Sequence, residues 1–87
     1  MVDDALDLVF TALANSLRRR ILDHLHANPG VNVNELSASF PISRIGVMKH
    51  LRLLETAGLV LSRRRGRNRL LYVSAVPIRM IHDRWTS

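Results

Sequence analysis

The chain has 87 residues, enough for one domain and too few for two. It is 47% hydrophobic, contains no cysteine, and carries a formal net charge of +6 at pH 7. These figures exclude a disulfide framework and a thiolate metal site, and they point to an anionic partner, nucleic acid or a membrane surface. No apolar run reaches membrane-spanning length and no signal-peptide pattern opens the chain, so a soluble cytoplasmic protein is expected.

The first segment, DDALDLVFTALAN, places Leu6, Val9, Phe10 and Leu13 at helical spacing. Asp3, Asp4 and Asp7 stand at its start, where the helix dipole favours acids. From Arg18 onward the chain holds all 13 Lys and Arg residues against 4 acids, so one end avoids polyanions and the rest meets them. The second segment, NSLRRRILDHLHANPG, predicts a helix capped by Asn15, with Leu17, Ile21, Leu22 and Leu25 facing inward. Asn28-Pro29-Gly30 ends it.

A short third helix follows in NVNELSASF, with Asn32 and Glu35 at capping-box spacing. Pro41 breaks the chain, and Ser43 can cap a fourth helix that runs to about Ala57 and stops at Gly58. The period then changes. The runs LVLSRRR and RLLYVS read as two strands of a hairpin around a GRN centre. Pro77 opens a last helix in which Ile78, Ile81 and Trp85 share a face. The chain stops on that helix with neither a C-cap nor a polar tail, the pattern expected of the front part of a longer helix.

The fourth helix carries the functional signal. At 100° per residue, Val47, Leu51 and Leu54 form its inner face. Ser43, Arg44, Ile45, Met48, Lys49 and Arg52 make up the outer face and its flank, and no acid appears before Glu55. A solvated face normally mixes both signs. An unpaired basic face next to a helix N-terminus suits phosphates and base edges in a major groove. A short helix, a tight turn and a second helix of this kind is the helix-turn-helix arrangement.

The hairpin adds Arg63, Arg64, Arg65, Arg67 and Arg69 within SRRRGRNR, flanked on both sides by apolar strand residues. Strand alternation sends neighbours to opposite faces, so not all five reach one ligand. Arg65, Arg67 and Asn68 flank Gly66 and are the first candidates for DNA contact; Arg64 and Arg69 come next.

The stretches LANSLRRRILDHL, VNELSASFPISRIGVMKHLRLLETAGLV and RRRGRNRLLYVS resemble the ArsR/SmtB family of winged-helix transcription regulators over roughly residues 8–75. The resemblance implies a mainly helical fold with a small β-hairpin, a winged helix-turn-helix of order α-α-α-α-β-β-α. It also implies a homodimer that represses promoters by binding double-stranded DNA. The helix-turn-helix would span residues 33–57 and the wing 59–75. Residues 3–14 and 77–85 would form the dimer interface through Leu6, Val9, Phe10, Leu13, Ile78, Ile81 and Trp85. The ending PIRMIHDRW is similar to a subgroup that does not sense metal.

The family's metal sites find little support here. The helix over residues 33–39 has no Cys, and His82 and Asp83 are adjacent on a helix, pointing about 100° apart. His24 and His26 lie on different faces, and His50 borders an inner face, where a packed or backbone-bonded ring is expected. No cofactor is expected. The scattered acids form no catalytic constellation, so an enzyme is not expected either. Three alternatives stay open: a winged helix used for protein contact, a metal-responsive repressor of the same fold, and an RNA binder. The dispersed Phe10, Phe40, Tyr72 and Trp85 speak against the last.

Overall fold

Three side-chain caps set the helix boundaries in the computed structural model, which describes residues 2–86, with side chains from residue 4. The Asp3 side chain lies outside the described residues. Helix α1 covers Val2–Leu13 and α2 covers Ser16–Ala27. Asn15 caps α2 by accepting the Arg18 N–H at 3.0 Å. Asn32 caps α3, Val33–Ala38, through the Glu35 N–H at 2.8 Å. Ser43 caps α4, Arg44–Thr56, through the Gly46 N–H at 3.1 Å. Each cap satisfies an N–H that the helix leaves unpaired and stabilises by about 1 kcal/mol.

The end of α4 is a Schellman motif. Gly58 adopts φ +76°, its N–H donates to the Glu55 carbonyl at 2.9 Å, and the Leu59 N–H donates to the Leu54 carbonyl at 2.9 Å. Leu54 and Leu59, which flank the motif, are both fully buried. The chain leaves the helix into β2, Val60–Arg65, turns, and returns as β3, Asn68–Val73. Helix α5, Val76–Thr86, follows, with Pro77 in its first turn, where a missing N–H costs nothing.

The sheet departs from the expected hairpin in two ways. A third strand, β1, formed by Val31 and Asn32, pairs antiparallel with Leu71 and Leu70, giving the order β1-β3-β2. Two residues carry no readable strand signal; they are extended because β3 would otherwise present an unpaired edge. The turn is also tighter than a GRN centre. Asn68 already pairs with Arg65, which leaves a two-residue loop, Gly66-Arg67. Only Gly66 has positive φ (+62°), as a type II′ hairpin turn requires.

The core is built from the inner faces that the sequence marks. Ile21 and Leu25 of α2, Leu36 of α3, and Val47, Leu51 and Leu54 of α4 are fully buried against Leu59 and Leu71. Helix α1 adds to this core. Val9, assigned to a subunit interface, is 6% exposed and belongs to the protomer's own core together with Ala12. The helix is apolar on more than one side, and the Val9–Ala12 stripe is the one turned inward. Leu13 and Ile81 are half-buried against the same core, whereas Leu8, Phe10, Ile78, Met80 and Trp85 are exposed.

The Gly58 motif yields the first prediction. A Cβ at this position would meet the Pro77 ring at an ordinary 3.5 Å, so space is not the obstacle. The positive φ is, and Gly58→Ala is expected to cost about 1–2 kcal/mol of stability. Urea unfolding should show a lower midpoint with an unchanged m-value.

Candidate nucleic-acid interface

One face of α4 and the β2–β3 hairpin each carry a group of exposed cations. Burial of Val47, Leu51 and Leu54 rotates α4 so that Arg44, Ile45, Lys49 and Arg52 point away from the body. Ile45 is 71% exposed, an unusual position for a branched aliphatic side chain with no partner in the protomer. Ser43 is exposed, with its Oγ engaged in the α4 cap. Met48 differs from the others: it is half-buried and packs against the core, so only part of it borders the surface.

Two side-chain links hold this face, and neither is visible from local sequence. Arg44 Nε donates to Asn34 Oδ1 at 3.0 Å, tying the first turn of α4 to α3 across the helix-turn-helix. Only Nε is engaged in this bond, and Arg44 as a whole is exposed. At the other end, Arg69 Nη2 of β3 forms an ion pair with Glu55 Oε1 of α4. Arg69, one pair below the hairpin turn, is therefore held to α4, while Arg63, Arg64, Arg65, Arg67 and Asn68 are exposed.

The two cationic elements meet. Arg44 and Met48 of α4, Asn32 and Asn34 at the start of α3, and Arg67, Asn68 and Arg69 of the wing border one cleft of about 130 Å³. The register sorts the remaining arginines. Arg64 stands opposite Arg69 on the face that also carries Val60 and Leu71, and Arg63 and Arg65 lie on the other face. Ser62, Arg64, Arg67 and Arg69 line a second, open cleft of about 340 Å³.

The arginines of α2 serve a different purpose. Helix α1 has no basic residue in its last turn. Arg18 supplies the missing donors: its Nε donates to the Ala12 carbonyl and its Nη2 to the Thr11 carbonyl, both at 2.8 Å. Arg19 Nη1 donates to the Leu13 carbonyl at 2.6 Å. The remaining Arg18 nitrogen, Nη1, lies 3.4 Å from Nδ1 of His50 on α4. His50 is thus packed as expected, with a side-chain rather than a backbone partner.

The other histidines do not converge. His24 stands edge-to-face with Phe40 at 5.8 Å, His26 is exposed, and His82 Nδ1 lies 3.3 Å from the neighbouring Asp83 Oδ1. Among the described residues, no three His, Cys, Asp or Glu side chains gather to hold a metal ion.

A capped short helix, a tight turn, an outward basic helix and an arginine-tipped hairpin define a winged helix-turn-helix DNA-binding fold. The helix-turn-helix domain family matches residues 13–63. Over 85 residues the chain is 36% identical to the uncharacterised HTH-type transcriptional regulator YuzN of Bacillus subtilis (strain 168), covering 91% of this chain and 92% of that one. Its fold matches an ArsR-like transcriptional regulator from Rhodococcus sp. RHA1 with a TM-score of 0.86 and 28% identity, over 93% of this chain and 73% of the other. It also matches the solution structure of a homodimeric winged helix-turn-helix DNA-binding domain from Mycobacterium bovis (TM-score 0.79, 28% identity, 91% of this chain and 73% of that one). The chain belongs to the helix-turn-helix family of ArsR-type transcriptional regulators. It is a DNA-binding transcriptional regulator.

The Arg18–His50 contact generates a pH prediction. Burial, and then the nearby Arg18 charge, lowers the His50 pKa below its ordinary 6.5. The unfolded chain therefore takes up the proton more readily than the folded one. The contribution to stability is complete above pH 6.5 and is lost as pH falls through that value toward the folded pKa. The melting temperature of the wild type should decline below this point more steeply than that of His50→Gln. Parallel profiles would show that His50 is not the titrating group.

Proposed function

We propose that the chain is one winged helix-turn-helix domain that acts as a dimeric repressor on a palindromic operator. It acts by binding rather than by catalysis, in the cytoplasm and without a metal signal. The observation that carries this reading is the outward face of α4, where Arg44, Ile45, Lys49 and Arg52 are exposed and the Arg44 fork is oriented by Asn34. In this reading the helix-turn-helix, residues 33–57, enters the major groove of each half-site. Arg44 and Lys49 donate to base edges or phosphates, Ile45 meets thymine methyls, and Met48 supports the helix from its flank. The wing, residues 59–75, lies along the backbone, with Arg65, Arg67 and Asn68 leading and Arg64 behind them. Arg69 positions the wing through Glu55.

Dimer formation rests on a second observation. Phe10 of α1 and Ile78 and Trp85 of α5 are exposed, and the Phe10 and Trp85 rings lie 6.3 Å apart. Beside them runs an apolar groove of about 620 Å³ lined by Ala5, Leu6, Val9, Ala57, Pro77, Met80 and Arg84. Exposed aromatic rings beside an apolar groove of this kind are out of place on a monomer. The dimer would use Leu6, Phe10, Ile78 and Trp85 directly, with Leu13 and Ile81 beneath them and Val9 on the groove floor. Among the described residues, no helix is long and apolar enough to cross a membrane.

The DNA reading is tested by fluorescence anisotropy on a duplex selected by the protein from a random library, with a random duplex as reference. Arg44→Ala should cost about 1–3 kcal/mol on the selected duplex if its fork reaches a base edge. The double change Arg65→Ala with Arg67→Ala should weaken both duplexes alike and flatten log affinity against log salt by nearly two units per protomer. An Arg44 variant with unaltered affinity for both duplexes would overturn the docking, and an unchanged salt slope would remove the wing from the DNA.

Sedimentation at micromolar concentration should give the mass of a dimer, and Phe10→Ala with Trp85→Ala should shift it toward the monomer. A clean monomer for the wild type would overturn the interface.

A further inference from the structure

Glu55 is the one acidic residue of α4, and it stands in the last turn. A negative charge there opposes the helix dipole, and no basic residue of that turn offsets it. Its partner instead comes from the wing: Arg69 reaches back from β3 and pairs with the carboxylate. The side chains are 27% and 36% exposed, so the pair sits at the rim of the body rather than in its core.

The surroundings give the pair its meaning. Arg69 stands directly opposite Arg64 in the hairpin, an arrangement of like charges that is unfavourable on its own. Together with Arg67 and Ser62 these arginines line the open cleft on that face of the wing. Glu55, Met48 and Arg52 border the adjoining recess next to Arg69. One carboxylate thus engages the innermost of three guanidinium groups gathered around one cleft.

We propose that Glu55 is a specificity-setting residue, which withholds Arg69 from the DNA backbone and so limits the number of phosphates each protomer can neutralise. This rests on the wing lying along DNA. Binding to random sequence is held by phosphate contacts alone, and its strength follows the number of cations that reach them. Binding to a preferred site is fixed in register by base contacts, and the Glu55–Arg69 pair keeps wing and helix aligned for it. A free Arg69 would therefore strengthen random binding more than preferred binding, and competing random sites vastly outnumber preferred ones.

The test is Glu55→Gln, an isosteric change that removes the charge, measured on the selected and the random duplex across a range of salt. Thermal unfolding confirms that the variant is folded. The random-duplex plot of log affinity against log salt should steepen by about 0.9 per protomer, with tighter binding at low salt and a smaller ratio of selected to random affinity. Arg69→Gln alone should leave the slope near that of the wild type, and adding it to Glu55→Gln should restore the slope. A Glu55→Gln slope equal to the wild type, or a flattened one in Arg69→Gln alone, overturns the proposal: in the second case Arg69 already touches phosphate. Loss of affinity for both duplexes in Glu55→Gln, without a steeper slope, overturns it in favour of a purely mechanical brace. The wing reading stands or falls separately, on the Arg65→Ala and Arg67→Ala slope.

Discussion

The phase of a single helix governs this molecule. Helix α4 must bury Val47, Leu51 and Leu54 completely, and that fixes its rotation about its own axis. Once rotation is fixed, the directions of Arg44, Ile45, Lys49 and Arg52 follow from the helical period. Neighbouring features fix the remaining freedom. Ser43 sets where the helix begins, Gly58 sets where it ends, and His50 against Arg18 joins its flank to α2. A reading surface is useful only if it cannot roll, and every inward residue of α4 serves that end.

The same tripeptide, three consecutive arginines, occurs twice and meets opposite fates. In α2 the run Arg18-Arg19-Arg20 follows a turn, and its first two members reach back to the carbonyls at the end of α1. There the charge completes a helix terminus. In β2 the run Arg63-Arg64-Arg65 alternates across a strand near a hairpin tip, and its charge stays in solvent. Net charge alone treats the two runs as equal. Secondary structure decides which positive charges hold the protein together and which are offered to a polyanion.

Much of the fold was legible because its punctuation is local. Asn15, Asn32 and Ser43 lie where an N-cap must lie, and Gly58 where a left-handed residue is needed, so the ends of these helices were legible. The cationic face of α4 was legible for the same reason, since periodicity is a local property. Strand β1 was not, because Val31 and Asn32 are extended only through pairing with a strand much later in the chain. The place of Val9 in the protomer's own core was not legible, because α1 is apolar on several sides and nothing within its sequence says which side meets the body. The Asn34–Arg44, Arg18–His50 and Glu55–Arg69 links were invisible because each joins separate elements.

The carbonyl-capping arginines bear on the order in which the chain assembles. The bonds from Arg18 and Arg19 to α1 span only six or seven residues, so they close small loops at little entropic cost. The sheet works the other way: Val31 must find Leu71 across much of the chain before β1 exists. Local closures form quickly and distant ones slowly. The helical hairpin α1–α2 is thus the natural scaffold on which the later elements condense. The cationic edge is completed late, on a foundation already laid by a different set of arginines.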